Sequence, residues 1–418
     1  MATLTKFANR PGPVNFVMGN FVFFAWWVRL QQAVELWPRN RRLTLLISCL
    51  VLGVVARLWA QSLPGNWDFG QWLNVSTAAL QGEDPYQLYG YNYPPPWLLT
   101  LSLFQALTTS DASFRLLISL LLIAADISIV LILMSRGYLL AGCLFILSPI
   151  TIAISGQHQQ IEGIAVGLAL AGVLLLSNAP GNQVSRQDWW GVLFLGLSLS
   201  FKPVFLLLPL WLALRPGPLK LRLFRLLVPG VVFLSVLASA FLVYPASTVI
   251  SKVLGHGGAN NSPFINEFVP GQLAPWVLEN QGGKVVFVVI LIAVGLLFRR
   301  LPPFELALVY SITALVFSWA VANQYLATPM AAVAVYLNIG FLIWLVLSSI
   351  YLGGDPATLN LPVLNQIQPN VLLEWNQVMQ DLFPWILLGW ILLVMIYVRK
   401  RPLMSPKPIR RSQAAVSK

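Results

Sequence analysis

Apolar stretches of spanning length, closed at one end by clusters of basic side chains, recur from residue 43 to residue 398, and they dictate what this chain can fold into. A helix rises about 1.5 Å per residue and the hydrocarbon core of a bilayer is about 30 Å thick, so about 20 mainly apolar residues make one crossing. Inside that layer no water bonds the backbone amides, which leaves helices or a closed barrel, and runs of this length select helices. Of the 418 residues 57% are hydrophobic and 10% charged, against about 25% charged in an ordinary soluble protein. A soluble globular chain is therefore excluded, and no segment is left for a soluble domain of useful size.

The formal net charge is +12. Its basic residues sit at the ends of apolar runs: Arg39, Arg41 and Arg42; Arg215, Lys220, Arg222 and Arg225; Arg299 and Arg300; and Arg399, Lys400, Arg401, Lys407, Arg410 and Arg411. Such clusters mark the cytoplasmic side and bind anionic headgroups, so membrane lipids are the expected partners. Nucleic acid is not expected, because no aromatic-basic surface pattern accompanies the charge. Cys49 and Cys143 lie inside apolar runs and read as small core hydrophobes. The apolar run 14–28 is followed by Arg29 and Glu35 instead of a small-residue cleavage site, so residues 1–42 read as a cytoplasmic or interfacial N-terminal segment.

Threading the runs by the basic clusters gives an outward crossing at 43–63 and an outer loop at 64–96. A half-embedded helix follows at 97–107, then a return crossing at 114–134. Residues 137–154 go outward and 164–176 inward, joined by the polar turn SGQHQQIEG at 155–163. The run 189–214 is broken by Lys202-Pro203. Proline removes a helical hydrogen bond and restricts the residue before it, so the break is either a kink with Lys202 in mid-membrane or a turn between two short helices that dip in together. Crossings at 226–244, 285–298 and 304–319 flank a second outer loop at 245–283. The stretch 326–352 satisfies the basic-end rule only by folding back near 338–340, which lets 382–398 end at Arg399. The expected fold is an all-α polytopic membrane protein with about ten to twelve membrane helices, surface helices in its first outer loop, and a basic cytoplasmic tail at 399–418.

Most of the chemistry-bearing residues lie in that first loop, WDFGQWLNVSTAALQGEDPYQLYGYNYPPPWLL at 67–99. Asp68 opens a loosely amphipathic surface helix, where a carboxylate either caps free amides or serves as a general base at headgroup depth. Glu83-Asp84-Pro85 reads as a turn, and Tyr86, Tyr89, Tyr91 and Tyr93 as an interfacial aromatic belt. In the 155–163 turn, three amides, His158 and Glu162 gather at one membrane-buried point. Asp126 lies inside a crossing and must face protein or water, which reads as a structural polar contact.

Asp68-Phe69, about twelve residues of surface helix, Gly82-x-Asp84-Pro85-Tyr86 and then Tyr91-x-Tyr93-Pro94-Pro95 opening an apolar segment together resemble the first extracytoplasmic loop of the GT-C superfamily of integral membrane glycosyltransferases. The likeness is greatest to glycosyltransferase family 87, the polyprenol-phosphate-mannose-dependent α-mannosyltransferases, and more distant to the glycosylphosphatidylinositol mannosyltransferase I group. It is thinner at Gly156-Gln157, Lys202-Pro203 and Ser318-Trp319. The resemblance implies a single GT-C-like domain over 43–398 and an inverting transfer of a sugar, mannose by family, from a polyprenyl-phosphate donor to a glycan or glycolipid acceptor on the outer side.

On that carry-over Asp68 is the base. Lys202, Arg115 and His256 meet the donor phosphate, and Tyr86, Tyr93, Gln157, His158, Gln324 and Tyr325 line the substrate site. Family members often carry a histidine shortly after the later Ser-Trp, where this chain has Asn323, Gln324 and Tyr325; the mannosyltransferase I group has a Gln-Tyr near that place. No Asp-x-Asp pair stands in the first outer loop, so neither a divalent metal nor another cofactor is expected. Two other readings stay open. One is a transporter or lipid-linked-sugar flippase with Lys202, Glu162 and Asp126 along its path; the other is a silent scaffold for envelope assembly.

Overall fold

The computed structural model describes residues 13–178, 183–255, 262–272, 282–371 and 375–399, and among them every regular element is helical. The chain is an all-α membrane protein. Helix α1 (Pro13–Glu35) precedes α2 (Arg39–Ser62), the surface helix α3 (Trp67–Leu80), α4 (Pro95–Leu107) and α5 (Asp111–Ser135). Next come α6 (Leu139–Leu147), α7 (Pro149–Ile152), α8 (Glu162–Asn178), α9 (Arg186–Phe201), α10 (Leu208–Leu214) and α11 (Leu219–Ser239). The short α12 (Ala246–Val253) and α13 (Pro263–Phe268) lead to α14 (Gly282–Phe298) and α15 (Pro303–Val316). Helices α16 (Met330–Val335), α17 (Ile339–Gly354), α18 (Pro362–Val371) and α19 (Trp375–Arg399) complete the order.

Local sequence explains the boundaries. Pro95 and Pro96 supply the first turn of α4, where their missing amides cost nothing. Ser110 and Ser113 close a reciprocal cap on α5. Lys202 is extended (φ −152°, ψ 119°), as a residue before proline must be, and the helices on either side of it diverge by 118°. The Lys202-Pro203 break is thus a turn, far sharper than a proline kink. Ser148-Pro149 bends the α6–α7 run by 51°.

The expected ten to twelve membrane helices resolve into unequal classes. Among the described residues four helices are long and apolar enough to cross a bilayer, or six with each bent pair counted as one span. Helices α8, α14, α15 and α17 are apolar but shorter. Every residue of α15 is buried, so this helix is wrapped by protein on all sides. By contrast α2 shows a stripe of exposed Ile47, Val51 and Val55, and α11 one of Leu219, Leu223, Leu227, Val231 and Leu234, faces that suit lipid.

Helix α1 docks on the bundle: Trp27 Nε1 donates to Ala334 O (3.0 Å) and Gln31 Nε2 to Val335 O (3.3 Å). Glu35 at its end bonds Arg42 (2.6 Å) and the Leu139 amide (3.3 Å). This end of the bundle also holds Arg136 with Glu305 (3.3 Å), Arg225 with Asp188 (2.8 Å), and Arg215 donating to Leu301 O (2.8 Å). Helix α2 leaves it and α5 returns to it, about 36 Å each for the 24- and 25-residue helices. The loop with Asp68 therefore lies at the opposite end. Asn338 breaks the 326–352 stretch by capping α17 at the Phe341 amide (3.1 Å) and donating to Gly389 O (3.0 Å).

Candidate functional site

The cap of α3 belongs to Asn66, whose side chain accepts from the Phe69 amide (3.1 Å). Asp68, in the first helical turn, is thereby freed from capping. Its Oδ2 lies 3.2 Å from His158 Nδ1, while among the described residues Oδ1 meets no hydrogen-bond donor. The carboxylate side chain is 18% exposed and the imidazole 9%. A partly open carboxylate with one oxygen held and the other available can accept a proton.

His158 arrives on the turn after α7. Ala153–Gln157 winds as a π-helix, a form that concentrates at functional sites. Gly156 lets this turn press on α2, because a Cβ there would stand 2.9 Å from Ala60 Cβ and 3.0 Å from Arg57 O. Gln159 holds a left-handed backbone (φ 56°), a strained choice for a side-chain-bearing residue. Its amide donates to Arg115 O (2.9 Å) and Ser119 Oγ (2.8 Å), and its carbonyl accepts from Trp72 Nε1 (3.2 Å), fixing the turn from two sides.

Gln157 ties three segments together: Oε1 accepts from Asn66 (3.3 Å), and Nε2 donates to Pro64 O (3.3 Å) and Ala357 O (3.2 Å). The loop beyond α17 completes the surround. There Thr358 Oγ1 lies 3.3 Å from His158 Nε2 and donates to Asp355 Oδ2 (3.1 Å).

A second group stands beside the first. Lys202, at the 118° turn, pairs with Glu162 at the start of α8. Its ammonium faces the rings of Tyr325 (4.9 Å) and Tyr93 (5.3 Å), a cation–π clasp in a dry setting. The Tyr93 hydroxyl donates to Gln160 Oε1 (2.7 Å). Burial holds its phenol well above the usual tyrosine range, and the nearby Glu162 and Asp68 carboxylates raise it further, so Tyr93 acts as a neutral donor. Tyr93 thus senses both the Asp68 and the Lys202–Glu162 groups.

The remaining expected site residues fall as follows. Gln324 is half-buried in the 3₁₀ turn Asn323–Ala327 next to Tyr325. Tyr86 is buried one ring further along a row, against Tyr91 (5.4 Å) and Tyr244 (5.6 Å), with Tyr91 then meeting Tyr93 (5.9 Å). Burial, then the neighbouring Tyr244 phenol and Asp84 carboxylate, pushes its phenol up. Arg115 donates to Leu63 O and Gln157 O and covers the Phe69 ring (5.2 Å), so its guanidinium clamps backbone beneath α3. His256 lies outside the described residues.

Beneath the turn, the fully buried Arg57 donates to Asp126 Oδ2 (2.8 Å), Ile146 O (2.7 Å) and Thr151 Oγ1 (2.9 Å). Ser155 adds a bond to Asp126 Oδ2 (2.7 Å). Asp126 is therefore a structural contact whose partner the sequence reading leaves unnamed. Asn66, Thr358 and Asp355 also escape it. For Arg57 a signal existed, a second intramembrane charge of opposite sign; the other three are ordinary loop polar residues.

Among the described residues no group of three or more His, Cys, Asp or Glu side chains is arranged to hold a metal ion. No protein-family model and no curated protein matches this sequence.

Proposed function

We propose that the chain transfers a sugar, mannose by the resemblance of its first outer loop, from a polyprenyl-phosphate donor to a lipid or glycan acceptor. The reaction runs on the extracytoplasmic side with inversion, in a GT-C-like framework. The observation that carries this reading is the Asp68 carboxylate. It is partly exposed, braced through one oxygen by His158, and sited at the bundle end opposite Arg42, Arg136, Arg215 and Arg225, basic residues that by the positive-inside rule belong to a cytoplasmic side. Asp68 Oδ1 takes the proton of the acceptor hydroxyl as that oxygen attacks the anomeric carbon. The bond from that carbon to the phosphate oxygen breaks, and polyprenyl phosphate leaves with the electron pair. Lys202 answers the phosphate charge by exchanging Glu162 for it, and the donor reaches the site through the bilayer, so no nucleotide fold is needed.

The transport reading needs charges free to line a path. Asp126 is locked to the fully buried Arg57 and so is withheld from any such path, which favours transfer over transport.

The test uses the full chain in lipid with polyprenyl-phosphate mannose and acceptor glycolipids extracted from cells lacking the gene. Labelled glycolipid is expected with the wild type. A positioned base contributes typically 10²–10⁴-fold, so Asp68→Asn should lose at least about 100-fold in turnover while retaining donor binding. Unchanged turnover in that variant removes the proposal.

A further inference from the structure

The loop after α17 reaches the candidate base through a fixed sequence of hydrogen bonds, and the direction of each decides the charge on His158. Thr358 has one hydroxyl proton. Asp355 claims it: Oδ1 accepts the Ala357 amide (2.9 Å) and Oδ2 the Thr358 hydroxyl (3.1 Å), while the Thr358 amide donates back to Asp355 O (2.9 Å), closing a tight turn. With its proton spent, Thr358 Oγ1 offers His158 Nε2 only lone pairs. On the other side of the ring, the Asp68 carboxylate also offers Nδ1 only lone pairs. With the Thr358 hydroxyl directed at Asp355, both ring nitrogens of His158 face acceptors and each has a partner to donate to.

We propose that Asp355, acting through Thr358, is a positioning residue that keeps His158 protonated on both nitrogens, so that a cationic imidazole holds the carboxylate of Asp68. The inference deepens the proposed reaction and rests on it for its catalytic meaning. An anionic phosphate donor must enter beside Asp68 and Glu162; a cation on His158 offsets the carboxylate and leaves Oδ1 free for the acceptor. The groups facing the turn from each packed element are consistent with this charge. Asp68 comes from α3 and Asp355 through Thr358 from the loop after α17. Before the donor enters, Glu162 of α8 is paired with Lys202, and Arg115 of α5 is turned onto backbone carbonyls.

The chain contains two histidines, His158 and His256. Full-length protein labelled with ¹⁵N-histidine in lipid nanodiscs therefore gives two sets of ring signals, and His256→Gln assigns His158. At neutral pH the wild type should show protons on both His158 nitrogens. Thr358→Val removes the oxygen at Nε2. Asp355→Asn places an amide donor at Thr358 Oγ1 and turns the hydroxyl proton toward the ring. Each variant should shift His158 to a neutral ring protonated at Nδ1 alone, with reduced sugar transfer. A neutral ring in the wild type overturns the proposal, as does double protonation that survives in either folded variant. If the wild type transfers no sugar from any polyprenyl-phosphate donor, the proposed function fails while the ring signals still decide this inference.

Discussion

Among the described residues Arg57 and Asp126 form the most enclosed ion pair, and removing one side tests how the fold beneath the site is held. In Arg57→Met the Asp126 carboxylate, 2% exposed, would keep only the Ser155 hydroxyl, and the Ile146 carbonyl and Thr151 hydroxyl would each lose a donor. Stranding one member of a buried pair costs about 3–5 kcal/mol. Replacing both by apolar side chains of similar shape is commonly neutral or stabilising, because the desolvation of two charges is removed together. The double variant Arg57→Met with Asp126→Leu should therefore fall within about 1–2 kcal/mol of the wild type, giving a coupling of at least about 2 kcal/mol in a double-mutant cycle. Unfolding in mixed micelles of rising denaturing-detergent content, followed by the fluorescence of the 16 tryptophans, supplies the four free energies. A loss below about 1 kcal/mol in Arg57→Met, or two single losses that simply add, would refute a structural pair.

Capping and the proposed chemistry fall to different residues of the α3 start. Asn66→Ala should lower stability by about 1 kcal/mol, whereas Asp68→Asn, keeping the cap, should change it by no more than about 1 kcal/mol; equal losses in melting experiments would contradict this division. The buried phenols of Tyr86, Tyr91 and Tyr93 are pushed up by burial, so their neutral form is favoured in the folded chain. Their contribution is fully present below the unfolded tyrosine value of about 10 and is lost as pH rises above it. Tyrosinate absorbance from these three should appear only with unfolding, and complete ionisation of all tyrosines near pH 10 in the folded protein would sink the assignment.

Much of this was legible in the residues. Spanning helices follow from run length, and the Lys202-Pro203 break from proline geometry, although only the three-dimensional fold distinguishes a kink from the 118° turn. The gathering of His158, its flanking amides and Glu162 on one polar turn was visible in SGQHQQIEG, but its neighbour was not: Asp68 meets His158 across 90 residues. Reading 43–63 and 304–319 alike as crossings hid the difference between α2, with half of its residues exposed, and α15, enclosed on all sides, because hydropathy cannot distinguish lipid from protein as the apolar neighbour. Asn66 was overshadowed by the charged residue two places on, though asparagine is as good a cap as aspartate. Asp355 and Thr358 look like any surface turn, and nothing local announces a partner 200 residues earlier.

That long separation sets the order in which a growing chain can become competent. As the polypeptide leaves the ribosome, the carboxylate at position 68 emerges first, the imidazole 90 residues later, and the hydroxyl that braces it 200 residues after that. A nascent product stalled between residues 158 and 358 thus carries the pair without its outer support. On the proposed function, such a truncated copy would hold its base and imidazole unbraced.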